Sequence, residues 1–227
     1  MVNRKASRVA RQVNPTNYAA RRDEILAVAM DLMQDKGYER MTIDDVLTRL
    51  DMSKGAFYHY FGSKQALLEG IVEQMGASAA SELGPIVADS ALGAVAKLRA
   101  YFATSTRWKS ANASAVSIAM RLWYDENNAL LRMKLSQQSM NTTAPLLASI
   151  IAQGCTEGAF DTAYPDEAAT IITGMGLHLA DSFIAAMQTD GSRAPDDLGP
   201  RTQTLMKGYL DAVERILGIP AGTLGPF

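Results

Sequence analysis

Apolar residues recur along most of this chain at the spacing of helices, and no run alternates between apolar and polar as a strand with hairpin turns would. From Arg21 to Lys36, Ile25, Ala29, Leu32 and Met33 fall at i, i+4, i+7 and i+8. Gly37 follows as the residue type that tolerates a left-handed C-terminal turn. A second, short stripe of Ile43, Val46, Leu47 and Leu50 is preceded by Thr42, with Asp45 three residues on as an acidic capping box. After only Asp51 and Met52, Ser53 can cap a third helix. Its Phe57 and Phe61 lie one turn apart, and Gly62 offers a stop. Ser63 starts a fourth helix striped by Leu67, Leu68, Ile71, Val72 and Met75, predicted to end at the Gly84-Pro85 break. Further helices are predicted near 90–108, 113–124, 127–153, 166–189 and 198–217, with breaks at Gly154, Gly158, Pro165 and 191–200. The expected fold is all-α. Residues 1–17 form a flexible basic arm, 18–66 a three-helix head with a helix-turn-helix, 67–217 a larger helical domain and 218–227 a Gly/Pro-containing tail.

Composition narrows the class without changing that picture. With 48% apolar and 20% charged residues over 227 positions, the chain reads as a packed globular protein. Its longest mainly apolar stretch, Thr170 to Met187, carries His178 and Asp181, so no membrane span is expected. Cys155 is the single cysteine and cannot form an intramolecular disulfide, and the start lacks the apolar core of a signal peptide. Cytoplasmic residence is the expectation. The net charge of −2 is unevenly spread. Residues 1–22 carry Arg4, Lys5, Arg8, Arg11, Arg21 and Arg22 with no acidic residue, and residues 71–227 are net acidic.

That gradient directs attention to the head. Two short helices joined by a tight turn behind a first helix present the second of the pair to a DNA major groove. The pattern alone is weak, because helix pairs abound in all-α proteins; the outward chemistry of the third helix shifts the balance. With Phe57 and Phe61 turned inward, Lys54, Gly55, Tyr58 and His59 lie on the outer side, and Tyr60 stands at its margin. Lysine and tyrosine hold phosphates, glycine permits close backbone approach, and histidine or tyrosine reaches base edges. The helix starts at Thr42 and Ser63 direct amides outward, and Lys64 adds a cation beside the second.

The segments Met41-Thr42-Ile43-Asp44-Asp45-Val46 and Ser53-Lys54-Gly55-Ala56-Phe57-Tyr58-His59-Tyr60-Phe61-Gly62-Ser63-Lys64-Gln65-Ala66-Leu67-Leu68 resemble the N-terminal DNA-binding domain of the TetR family of bacterial transcriptional regulators. The resemblance covers roughly residues 20–75. It implies a homodimer of all-helical subunits, each with a larger C-terminal domain for effector binding and dimerisation, and repression of a palindromic operator relieved by a small molecule. Carried over by position, Thr42, Lys54, Tyr58 and Lys64 contact phosphates, Gly55, His59 and Tyr60 face the bases or the groove wall, and Ser53 belongs to the same surface. One departure stands out: Arg49-Leu50-Asp51 occupies the end of helix two, where the family more often has a small residue and a glycine, and Asp51 there would repel a phosphate. From the family's effector position, a pocket is expected among Phe102, Met120, Trp123, Tyr124 and His178.

Several features keep two readings. The basic arm is either a solubilising tail or a minor-groove contact. His178 and Asp181, at i and i+3, form either a polar hook in a pocket or a structural pair, of which the structural pair is the stronger. The stripes of the last two helices fit an intrachain bundle as well as a dimer interface. No metal-ligand cluster, phosphate-binding glycine loop or nucleophile motif is visible, so no catalytic residue and no cofactor are expected. The rival to a DNA-binding regulator is a helical ligand-binding module without sequence-specific DNA binding.

Overall fold

The computed structural model describes residues 15–112, 115–116, 129–190 and 200–225, and among these only helices, turns and bends occur. The helices are α1 (Pro15–Lys36), α2 (Ile43–Leu50), α3 (Lys54–Tyr58), α4 (Lys64–Ala88), α5 (Ala94–Ala111), α6 (Ala129–Thr142), α7 (Ala144–Thr156), α8 (Pro165–Asp190) and α9 (Pro200–Ile216). The chain divides into two compact units between Leu68 and Glu69. The helix expected near 113–124 lies outside the described residues apart from 115–116, as do arm residues 1–14 and the break at 191–199.

In the first unit α1 packs on α2 and α2 on α3. Ile25, Leu26, Met33, Met41, Val46 and Leu67 are buried around a fully buried Phe57, with Phe61 beside it. Sinking a phenylalanine of this kind contributes roughly 1.5–3 kcal/mol, so α3, only five residues long, is held by its inner face and not by its own propensity. Gly37 takes the left-handed conformation (φ 81°) that ends α1. Residues 15–17, expected to belong to the arm, are already helical, three residues before the expected start at Tyr18.

The second unit stacks α7 on α8, α8 on α9, α5 on α7, and α6 on both α7 and α8. Its core gathers Leu98, Leu147, Ile150, Ile151, Ile172 and Leu217. Two expected boundaries are corrected here. The fourth helix does not stop at Gly84-Pro85 but runs to Ala88 with Pro85 inside it. So close to the helix end, the proline forfeits a single ladder bond, to the Ser81 carbonyl, while Leu83 is buried and Ile86 and Val87 pack on the core. Buried Lys97 then donates from Nζ to the Val87 carbonyl at 2.7 Å, satisfying an orphan acceptor of the final turn. Conversely, the single helix expected over 127–153 is two, α6 and α7, broken at Thr143. Pro145, at the start of α7, has no N–H to give to the Asn141 carbonyl.

Of the residues read as a tail, 218–225 are folded. Ile219 and Leu224 are buried, and the Glu214 carboxylate, itself only 4% exposed, accepts from the backbone N–H of Gly222 at 2.9 Å and of Leu224 at 2.7 Å. Arg99 donates from Nε and Nη2 to the Thr223 carbonyl, and Asp161 N–H donates to the Leu217 carbonyl at 2.8 Å. These bonds strap the last described residues onto α5 and α9. Among the described residues no helix is long and apolar enough to cross a membrane.

Candidate nucleic-acid interface

Local capping sets the reading surface. At the start of α2 the Thr42 hydroxyl accepts from Asp45 N–H at 3.2 Å, and Thr42 N–H donates back to the Asp45 carboxylate at 2.7 Å, the reciprocal box the spacing predicts. Lys36 from α1 places Nζ 2.5 Å from the same carboxylate. That lysine first, and then the two Thr42 bonds, hold the Asp45 carboxyl well below the usual carboxylate range. Asp51, the departure noted in the sequence, ends α2 in the left-handed conformation (φ 46°), where its N–H turns back to the Leu47 and Thr48 carbonyls. Asp is among the few non-glycine residues that accept this conformation, so the turn into α3 survives the loss of glycine.

Ser53 then caps α3, accepting from Ala56 N–H at 3.2 Å. Phe57 faces inward with Phe61 beside it, their ring centroids 6.0 Å apart. The opposite side of α3 presents Lys54, Gly55 and Tyr58, the last 45% exposed. Nothing lies within 4 Å of where a Gly55 side chain would begin. A glycine inside a helix costs about 1 kcal/mol relative to alanine, and no packing need within the protein explains this one. Lys54 makes no hydrogen bond or ion pair with any described residue. Thr42, Ser53, Lys54, Gly55, Tyr58 and His59 are all exposed, and Tyr60 and Lys64 are half-buried.

Several of these groups are engaged within the head. The Thr42 hydroxyl gives its proton to Asp45 at 2.6 Å. Lys64 Nζ donates to the Glu39 carbonyl at 3.2 Å and stands 4.2 Å from the centre of the Tyr38 ring, a cation–π contact that draws it over the α1–α2 connection. Ser63 caps α4, accepting from Ala66 N–H at 3.0 Å. Arg21 pairs with Glu24 at 2.5 Å and reaches the Leu50 carbonyl at 3.4 Å, while the Arg22 guanidinium lies 5.3 Å from the Phe61 ring centre. Sequence reasoning missed Tyr18 of α1, whose ring stacks on Tyr60 (centroids 4.7 Å, 23° between planes) and meets His59 edge-on at 5.7 Å. No periodicity could have announced a contact between residues so far apart in the chain.

Of the five expected effector residues, Phe102 and His178 are among the described ones. Phe102 sits in the second core edge-on to Tyr101 and Tyr209, and His178 is exposed on α8; the side chain of Asp181 and residues Met120, Trp123 and Tyr124 lie outside the described set. A groove of about 230 Å³ between α4 and α6 is instead lined by Glu69, Val72, Glu73, Lys134, Gln137, Gln138 and Asn141, with Glu69 and Lys134 paired at 2.7 Å. Elsewhere in this unit, burial pushes the Tyr101 phenol up to about 12. Cys155 Sγ lies 3.4 Å from the Thr162 carbonyl. Among the described residues no group of three or more His, Cys, Asp or Glu could hold a metal ion.

Comparison with known proteins follows the same division. The family described as bacterial regulatory proteins, tetR family, matches residues 25–71. The transcriptional repressor KstR2 of Mycolicibacterium smegmatis is 33% identical over 58 residues, 26% of this chain and 28% of its own. The chain spans about a third or less of the length of the first curated relatives it matches. Solved structures share the fold over far more. A TetR/AcrR-family regulator from Thermobifida fusca covers 92% of this chain and 98% of its own at 19% identity and a TM-score of 0.59. The complex of SmeT, a Stenotrophomonas maltophilia efflux-pump repressor, with triclosan covers 91% and 95% at 20% identity and a TM-score of 0.66.

Proposed function

From a chain that carries the DNA-binding domain of the TetR family of bacterial regulatory proteins, we propose a ligand-responsive transcriptional regulator that represses by binding a palindromic operator. The observation that carries this reading is α3: Phe57 anchors its inner face, while Lys54 and Gly55 stand outward with no packing role inside the head and Tyr58, edge-on to Phe57 at 5.6 Å, leaves nearly half its surface open. A free ammonium supplies charge to a phosphate, a helix without a side chain at position 55 can come close to a groove wall, and Tyr58 offers a hydroxyl at the end of a rigid ring. Thr42 and Ser53 add hydroxyls at adjoining helix starts. A dimer would set two such helices about 34–36 Å apart in successive major grooves of one duplex.

The second unit takes the effector in this reading. A small molecule bound there releases DNA only if it prefers a conformer of lower operator affinity. The SmeT complex with triclosan, a protein of the same fold with a small molecule bound, supports that role by analogy. The protein acts where the chromosome is, in the cytoplasm, and no reaction is assigned to it.

Selection of duplexes from a random-sequence pool, followed by binding titrations at several salt concentrations, tests the reading. The selected duplex binds more tightly than unselected DNA, and affinity falls steeply with salt. Lys54→Ala lowers affinity for every sequence and reduces the salt slope by about 1, and Tyr58→Phe also weakens binding, with both variants folded by circular dichroism. A folded wild-type protein that enriches no sequence returns the chain to the class of helical ligand-binding modules.

A further inference from the structure

We infer that Tyr18 is a positioning residue for DNA reading: it fixes the rings of His59 and Tyr60 and so sets how well the protein tells its operator from other DNA. The inference rests on the proposed function. Its basis is an aromatic cluster joining the start of α1 to the end of α3. The Tyr18 ring lies nearly parallel to Tyr60, 4.7 Å away, and stands perpendicular to His59 at 5.7 Å, while His59 and Tyr60 meet edge-on at 5.5 Å. Each ring touches the other two, in the geometries that the ring quadrupole favours.

The position of the cluster gives this packing a functional meaning. His59 is exposed and Tyr60 half-buried, beyond the last turn of α3 and next to the outward-facing Tyr58. An exposed imidazole on a free stem samples several rotamers, and binding must freeze one of them at a cost in entropy. A base-edge contact tolerates only about 10–20° of misorientation. Packing His59 and Tyr60 against a ring from another helix fixes them before DNA arrives. Attraction to phosphates makes no such demand, so Tyr18 bears on selectivity and little on the sequence-independent part of binding. Phe57 and the caps hold α3 in place without it, because they act on the inner face and on the helix start.

The experiment compares dissociation constants of full-length protein for the selected duplex and for an unrelated duplex of equal length, at one salt concentration, alongside thermal midpoints. In Tyr18→Leu, which keeps apolar bulk but has no ring, the ratio of the two constants is expected to narrow by about three- to tenfold, with the unrelated duplex bound as before. Tyr18→Phe is expected to restore the ratio, since the hydroxyl plays no part in the stack. A ratio unchanged in Tyr18→Leu overturns the inference while leaving the proposed function standing, and so does a loss that is equal on both duplexes. A wild-type protein that discriminates between no sequences removes both.

Discussion

The two units are held together by different kinds of bond. In the head, the helix caps that shape the surface are short in sequence, Thr42 with Asp45, Ser53 with Ala56 and Ser63 with Ala66, each three residues apart, and the longer reaches of Lys64 to the Glu39 carbonyl and Arg21 to the Leu50 carbonyl are added to them. In the second unit such reaches are longer. Glu157 accepts from Ala94 N–H 63 residues away at 2.9 Å, Gln153 donates to the Leu92 carbonyl at 3.0 Å, and Arg99 reaches Thr223 across 124 residues. The head is assembled from pre-shaped local pieces around one aromatic anchor, whereas the larger unit is defined by distant groups meeting. A surface that must present the same geometry to each stretch of DNA gains from the first plan, because local caps fix each short helix independently of the rest.

Breaking the anchor has the largest expected effect on this contrast. Phe57→Ala removes a fully buried ring and should cost about 3–5 kcal/mol. Hydrogen exchange is the measurement: amides in α1 to α3 should lose protection, while those of Ile150 and Ile151 keep theirs. Next comes the strap of the second unit. Glu214→Ala leaves the N–H of buried Leu224, and that of Gly222 nearer the surface, without an acceptor and should lower stability by about 1–3 kcal/mol in urea titrations, with protection retained in α1 to α3. Glu214→Gln, which keeps one carbonyl oxygen, should lose less.

The smallest effect concerns acid. The Asp45 and Glu157 carboxyls are both held below their ordinary values of 3.8 and 4.5, Asp45 chiefly by Lys36 and Glu157 chiefly by the Ala94 N–H. A depressed carboxyl stabilises the fold at pH above its unfolded value, and that contribution fades as pH falls through the folded one. Urea midpoints should therefore hold steady from pH 7 to about 5 and decline below about pH 4. Asp45→Asn should flatten that decline in α1 to α3, and Glu157→Gln should flatten it in the second unit. Equal decline in wild type and both variants would show that other carboxyls govern acid unfolding.

The same contrast decides what could be read from sequence. The box at Thr42 and Asp45, the cap at Ser53, the left-handed Gly37 and the inward pair Phe57 and Phe61 all follow from spacings of a few residues, which a single sequence displays. Lys54, Gly55 and Tyr58 could be placed outward because the inward pair fixes the rotation of the helix. Residues whose role depends on a distant partner escaped. Lys64 gives no sign of its seat over Tyr38, Tyr18 none of its stack on Tyr60, and Glu214 none of its hold on Leu224. Pro85 and Pro145 look alike as punctuation, yet one lies within a helix whose last turn is gripped by Lys97 and the other opens a new helix. Tertiary contacts decide between those outcomes, and neighbouring residues do not reveal them.

Burial of Leu224 bears on the order in which the molecule comes into being. A ribosome delivers the chain from its N-terminus, so the head has every residue of its core once position 68 has emerged and can close while synthesis continues. The larger unit has to wait. Leu224 and the backbone amides that Glu214 clasps arrive more than a hundred and fifty residues later, and until then its helices keep apolar surface open to whatever else the cell contains.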